Sequence, residues 1–138
     1  MPNTSIQADL IAVAAIEDFM GYASRDGMIV RLTNEQYVYN FKDFHLHYKG
    51  QPLPMGVAVR ILAQFAQTRL QELGHRIMDL HHEGNFRWTG QLKRERFDTP
   101  REMTATTPPN DYSSALASLV MHTAILRELL EQVIPSKN

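Results

Sequence analysis

The sequence predicts an α+β domain built from one long helix and several short strands, and three observations carry that reading. From Val57 to about Leu80 apolar residues recur at helical spacing (Val59, Leu62, Ala66, Leu70, Leu73, Ile77, Leu80) and make one continuous stripe. Met28 to Leu32 and Tyr37 to Tyr48 are rich in β-branched and aromatic side chains, which suit a pleated, half-buried surface. The chain has 138 residues, 43% of them hydrophobic, enough to bury one core and too few for two domains.

The elements follow in order. Ile6, Leu10, Val13, Ile16 and Met20 keep helical spacing after Thr4 or Ser5, either of which suits an N-cap, and this helix is expected to end near the Arg25-Asp26-Gly27 turn. The two strands that follow are joined through Thr33-Asn34-Glu35-Gln36. Within the second strand, Phe44 and Leu46 face away from His45 and His47. The long helix is expected to lie against the sheet and to stop at Gly84. Phe86 to Phe97, interrupted by Thr89-Gly90, reads as extended and ends at Pro100. Glu102 to Thr107 is a further short strand closed by Pro108-Pro109. After Tyr112, the residues Leu116, Leu119, Thr123, Leu126, Leu130 and Val133 fit a helical seam, so local pattern gives a C-terminal helix. No repeat and no low-complexity linker is present in the sequence.

Composition excludes several classes. The absence of cysteine removes disulfides and thiolate metal sites. Met1 to Ala15 lacks a basic region ahead of its apolar stretch, and no apolar run reaches membrane-spanning length, so a soluble cytoplasmic protein is expected. A net charge of −1 argues against a generic polyanion binder. Charge is uneven, however: Arg87, Lys93, Arg94, Arg96 and Arg101 face only Glu95 and Asp98 within one short stretch. With Phe86 and Trp88 nearby that stretch has the makings of a nucleic-acid surface, but the near-zero overall charge argues against it, and the blander reading is a solvated strand edge. His45 with His47, and His75 with Asp79 and His82, invite a metal reading, and Glu72-x-x-His75 has the spacing of half a carboxylate-bridged metal site. None of these is a complete ligand set, so no metal and no cofactor is assigned.

The junction from His47 to Val57 carries the most chemistry. Gly50, Pro52, Pro54 and Gly56 fix a turn that leads from a histidine into the start of the long helix. First-turn amides of a helix are unpaired donors at its positive end. A histidine beside them is suited to act on a carbonyl compound whose oxygen those amides hold.

These residues resemble the β-hydroxyacyl-acyl-carrier-protein dehydratases of the hot-dog fold. The likeness rests on His47-Tyr48-x-Gly50-x-Pro52-Leu53-x-x-Gly56-Val57, then Ala63-Gln64, then Arg94-x-Arg96-Phe97-x-x-Pro100, in the family's order and spacing. It covers most of the chain from Asp26 to Pro100. It implies a hot-dog fold, an antiparallel sheet wrapped around a long central helix, in a single domain spanning residues 1–138. It further implies that His47 is the catalytic base, that Gly56, Val57, Arg60 and Gln64 bind substrate, and that Lys93, Arg94, Arg96 and Arg101 meet an acyl carrier protein or its phosphate. Two departures stand out. The family's catalytic acid falls on Arg60 or Ile61 here, and a guanidinium cannot release a proton at neutral pH. The strands a hot-dog sheet needs at its C-terminal end would have to come from the helix-like stretch after Tyr112.

The functional expectation is therefore an acyl-thioester-binding, dehydratase-like protein of fatty-acid or polyketide type, a lyase if active, with no acid at the family's position. It is expected to form a homodimer, or a heterodimer with a homologue, and to bind neither nucleic acid nor membrane. The alternatives are a non-catalytic subunit that pairs with an active homologue, and a helical adaptor that assembles through the Leu116 to Val133 seam.

Overall fold

The computed structural model describes residues 2–22, 27–94, 100–109 and 112–133. Helix α1 (Pro2–Glu17) runs into a π-helical turn (Asp18–Tyr22) in which Gly21 takes a φ of 121°. Four strands follow: β1 (Gly27–Leu32), β2 (Glu35–Asn40), β3 (His45–Tyr48) and the two-residue β4 (Gln51–Pro52). Helix α2 (Met55–Glu72) leads to β5 (His75–Gly84), β6 (Arg87–Arg94) and β7 (Arg101–Thr106), and α3 (Ser113–Val133) ends the described chain. All strand pairs are antiparallel, and they form two sheets, β1-β2-β3-β4 and β5-β6-β7.

The class is α+β with antiparallel sheets, as the sequence implies, but four of its details differ from expectation. The helix from Val57 does not reach Leu80. It ends at Glu72 because Gly74 takes a left-handed φ of 84° and donates its N–H to the Gln71 carbonyl, a glycine-type helix end. Ile77 and Leu80, which extend the apolar stripe in the sequence, are half-buried residues of β5. Gly84 closes that strand and not a helix. The stretch from Tyr37 to Tyr48 is two strands, because Phe41 to Phe44 form a turn with Phe44 at a φ of 57°. Residues 113–133 are helical where the hot-dog resemblance calls for strands. Thr4 and Ser5 lie inside α1, which starts at Pro2, so neither is its N-cap.

The core explains this arrangement. Val30, Leu32, Tyr39 and Leu46 line the inner face of the first sheet and pack with Ala58, Val59, Leu62, Phe65 and Ala66 of α2 and with Ala12, Ala15 and Ile16 of α1. A second cluster joins Val13 of α1 to Leu126 and Leu130 of α3. α2 packs along α3 and also touches β1, β3 and β5, so helix and sheet share its burial. Its remaining stripe, Val57, Arg60, Gln64, Gln67 and Gln71, is exposed, so no single sheet sheathes the helix. No helix among the described residues is long and apolar enough to cross a membrane.

Candidate functional site

His47 stands on β3. Strand alternation turns Leu46 into the core, fully buried, and sends His45 and His47 to the outer face. The turn before β3 then brings Asp43 beneath both histidines. Asp43 Oδ2 lies 2.9 Å from His47 Nε2, and its Oδ1 accepts the backbone N–H of His45 at 3.0 Å. Desolvation opposes charge on the Asp43 carboxyl, but the hydrogen bonds from His47 and His45 prevail and hold it below the usual carboxylate range. On the far side of His47, Lys49 and Gly50 both adopt positive φ, forming the two-residue hairpin turn into β4. Tyr48 donates its hydroxyl to Glu35 Oε1 at 2.5 Å, and that bond raises the phenol above its ordinary value. A shallow groove of about 570 Å³ runs along this face, lined by Glu35, Gln36, Val38, Asn40, His47 and Tyr48. Its chemistry is that of an oriented imidazole in a polar, open setting.

A second cavity is of opposite character. The end of the first helical segment, the start of α2, the end of β7 and the start of α3 converge around about 460 Å³. Phe19, Met20, Met55, Val59, Leu116 and Val120 supply apolar walls, while Thr106 and Tyr112 bring hydroxyl groups. Met55 and Val59 are one helical turn apart, as are Tyr112, Leu116 and Val120, so helix periodicity aims both rows at the same space. Gly56 backs onto this region: a Cβ placed on it would lie 3.1 Å from Tyr112 Cδ1 and Cε1.

The expected site residues are thus distributed. His47 lines the polar groove, Gly56 adjoins the apolar cavity, and these two cavities share no lining residue. Val57, Arg60 and Gln64 lie on the exposed stripe of α2. Arg94 and Arg101 come together with His75 and Glu128 around a hollow of about 250 Å³, where Arg101 pairs with Glu128 at 3.2 Å. Lys93, next to Arg94 on β6, projects from the other face of that sheet, where its register partner is Arg76. Arg96 and Phe97 lie outside the described residues. His75, Asp79 and His82 fall on β5, so the helical spacing that grouped them is lost, as it is for Glu72-x-x-His75. Among the described residues no three histidines or carboxylates are grouped as metal ligands.

Sequence reasoning passed over Asp43, whose spacing of four residues from His47 across a turn was the available signal. It also passed over Phe19, Tyr112 and Val120, for which apolar or aromatic character at helix ends was the only clue. No family model, curated protein or solved structure matches this chain.

Proposed function

We propose that the protein binds an acyl chain, presented as a thioester, in the apolar cavity at the head of α2. The observation that carries this reading is the cavity itself, whose volume of about 460 Å³ and walls of Phe19, Met20, Met55, Val59, Leu116 and Val120 suit an aliphatic group. Each methylene moved from water into such walls contributes about 0.8 kcal/mol. Thr106 and Tyr112 offer the few polar groups that fix a ligand's orientation. His47 lines a different cavity, so the reading is one of binding without turnover, as in a non-catalytic subunit. The basic pair Arg94 and Arg101 would meet the acidic surface of a carrier protein or a phosphate on the ligand.

The test is calorimetry with the octanoyl thioester of N-acetylcysteamine. Saturable binding is expected for the native chain and its loss in Met55→Glu, since Met55 is exposed enough to accept a charge without unfolding the domain yet lines the cavity. A native chain that binds no acyl thioester would sink the proposal.

One observation favours a second reading, the hot-dog dehydratase acting as a dimer. Asp43 orients the His47 imidazole, which is how a general base is prepared. Under that reading the purified protein turns over a β-hydroxyacyl thioester and elutes at about twice its monomer mass. A monomer without turnover removes it.

A further inference from the structure

Gly56 needs an explanation that its backbone does not supply. Gly21, Gly50, Gly74 and Gly84 adopt positive φ, where glycine is the residue of least strain. Gly56 does not: it sits in the first turn of α2 with ordinary helical geometry, a setting in which alanine is the better helix former. What a side chain there would meet is the ring of Tyr112, with two ring carbons 3.1 Å from the position of a Cβ. That is closer than ordinary contact, so any residue other than glycine displaces the ring. The backbone of Tyr112 is held at the start of α3, where its carbonyl accepts the Leu116 N–H at 3.0 Å. Movement therefore falls on the ring, and the ring is a wall of the apolar cavity.

We infer that Gly56 and Tyr112 together determine specificity: the missing side chain lets the Tyr112 ring lie back against α2, and this sets the largest acyl group the cavity admits. The inference rests on the acyl-binding reading. It assigns Gly56 a steric role behind the wall, in place of the carbonyl-holding role that a glycine at a helix start suggests. Val59 is fully buried in the core, whereas Tyr112, like Leu116, is only partly buried against it, so the ring has room to shift that Val59 lacks.

The experiment is a chain-length series of N-acetylcysteamine thioesters from butanoyl to dodecanoyl, titrated against the native chain, Gly56→Val, Tyr112→Ala and the double variant. For the native chain, affinity should rise about fourfold per added methylene up to a limit and then level or fall. Gly56→Val should move that limit to shorter chains, Tyr112→Ala to longer ones, and the double variant should regain chains that Gly56→Val rejects. Regain by removing the ring is a coupling that general destabilisation does not produce. Gly56→Ala, which a helix tolerates, should give the same shift in smaller measure and serves if the valine variant does not fold. If the native chain binds the series but folded Gly56 variants keep its limit, or the double variant regains nothing, this inference fails alone. If the native chain binds none of the series, the acyl-binding reading fails and this inference with it.

Discussion

His47 Nε2 lies 2.9 Å from Asp43 Oδ2, four residues earlier, across the turn that joins β2 to β3. The carboxylate that orients this histidine thus comes from its own hairpin and not from α2, where positions 60 and 61 hold Arg60 and Ile61. Asp43 is held ionised and accepts hydrogen bonds, so it orients the imidazole and is no source of protons.

His47→Ala should raise the Asp43 carboxyl part of the way towards its ordinary titration, since the His45 amide still donates to it, and that rise is readable by carboxyl NMR against the native chain. Stability should barely respond, because the pair is exposed. If the dehydratase reading holds, the same substitution lowers turnover by about 10²- to 10⁴-fold. An Asp43 titration unchanged by loss of His47 would show that the pair does not persist in solution.

Legibility followed the physics of each signal. β1 and α3 were readable because the apolar residues of one put Val30 and Leu32 into the core, with Ile29 left exposed, and the heptad-like spacing of the other buries Leu119, Leu126 and Leu130. The end of α2 was not, because Ile77 and Leu80 of β5 continue the helical stripe of Leu62, Ala66 and Leu70 by coincidence of spacing. The deciding residue was Gly74, whose left-handed φ outweighs periodicity. His47 and Gly56 are close in the chain and are expected to line one pocket, yet a hairpin turn and a helix start set them beside different cavities. The apolar cavity draws on four separate segments, through Phe19, Met55, Thr106 and Tyr112, and only tertiary packing brings these together.

Acid should weaken the fold through His122. This side chain is 5% exposed on α3, and its Nδ1 lies 2.7 Å from the Ser118 carbonyl. Burial lowers its affinity for a proton, and the hydrogen bond to Ser118 offsets this only in part. An unfolded chain takes up that proton near about pH 6.5, whereas the folded chain resists it to lower pH. The contribution is complete above the unfolded value and is lost as pH falls through the interval down to the folded one. Urea midpoints taken at about pH 7 and about pH 5 should therefore fall less in His122→Leu than in the native chain. Equal losses in both would place the acid sensitivity elsewhere.

The adaptor alternative meets a structural objection. Leu126 and Leu130 are fully buried against Val13 of α1, so the seam is an internal contact and not a free face. Leu126→Ala should cost about 2–5 kcal/mol in urea denaturation, the range for removing a buried leucine. Aspartate at either position should prevent folding. A folded Leu126→Asp chain that only loses a partner would restore the adaptor reading.

Gly90 offers the sharpest steric test of the second sheet. It is buried on β6 opposite Met103, and a Cβ there would lie 2.8 Å from Ile77 Cγ2 and 3.4 Å from the Met78 carbonyl oxygen. The approach is close because β5 bulges between Met78 and His81, with Asp79 at a φ of 58°. Gly90→Ala should therefore destabilise by about 1–3 kcal/mol, the usual cost of overpacking a filled site. The nearest clashing atom belongs to a side chain, so Ile77→Ala in the same chain should remove most of that cost, and the two substitutions should be markedly less than additive. Additive losses in the double variant would mean that β5 and β6 sit farther apart than their register and the bulge require.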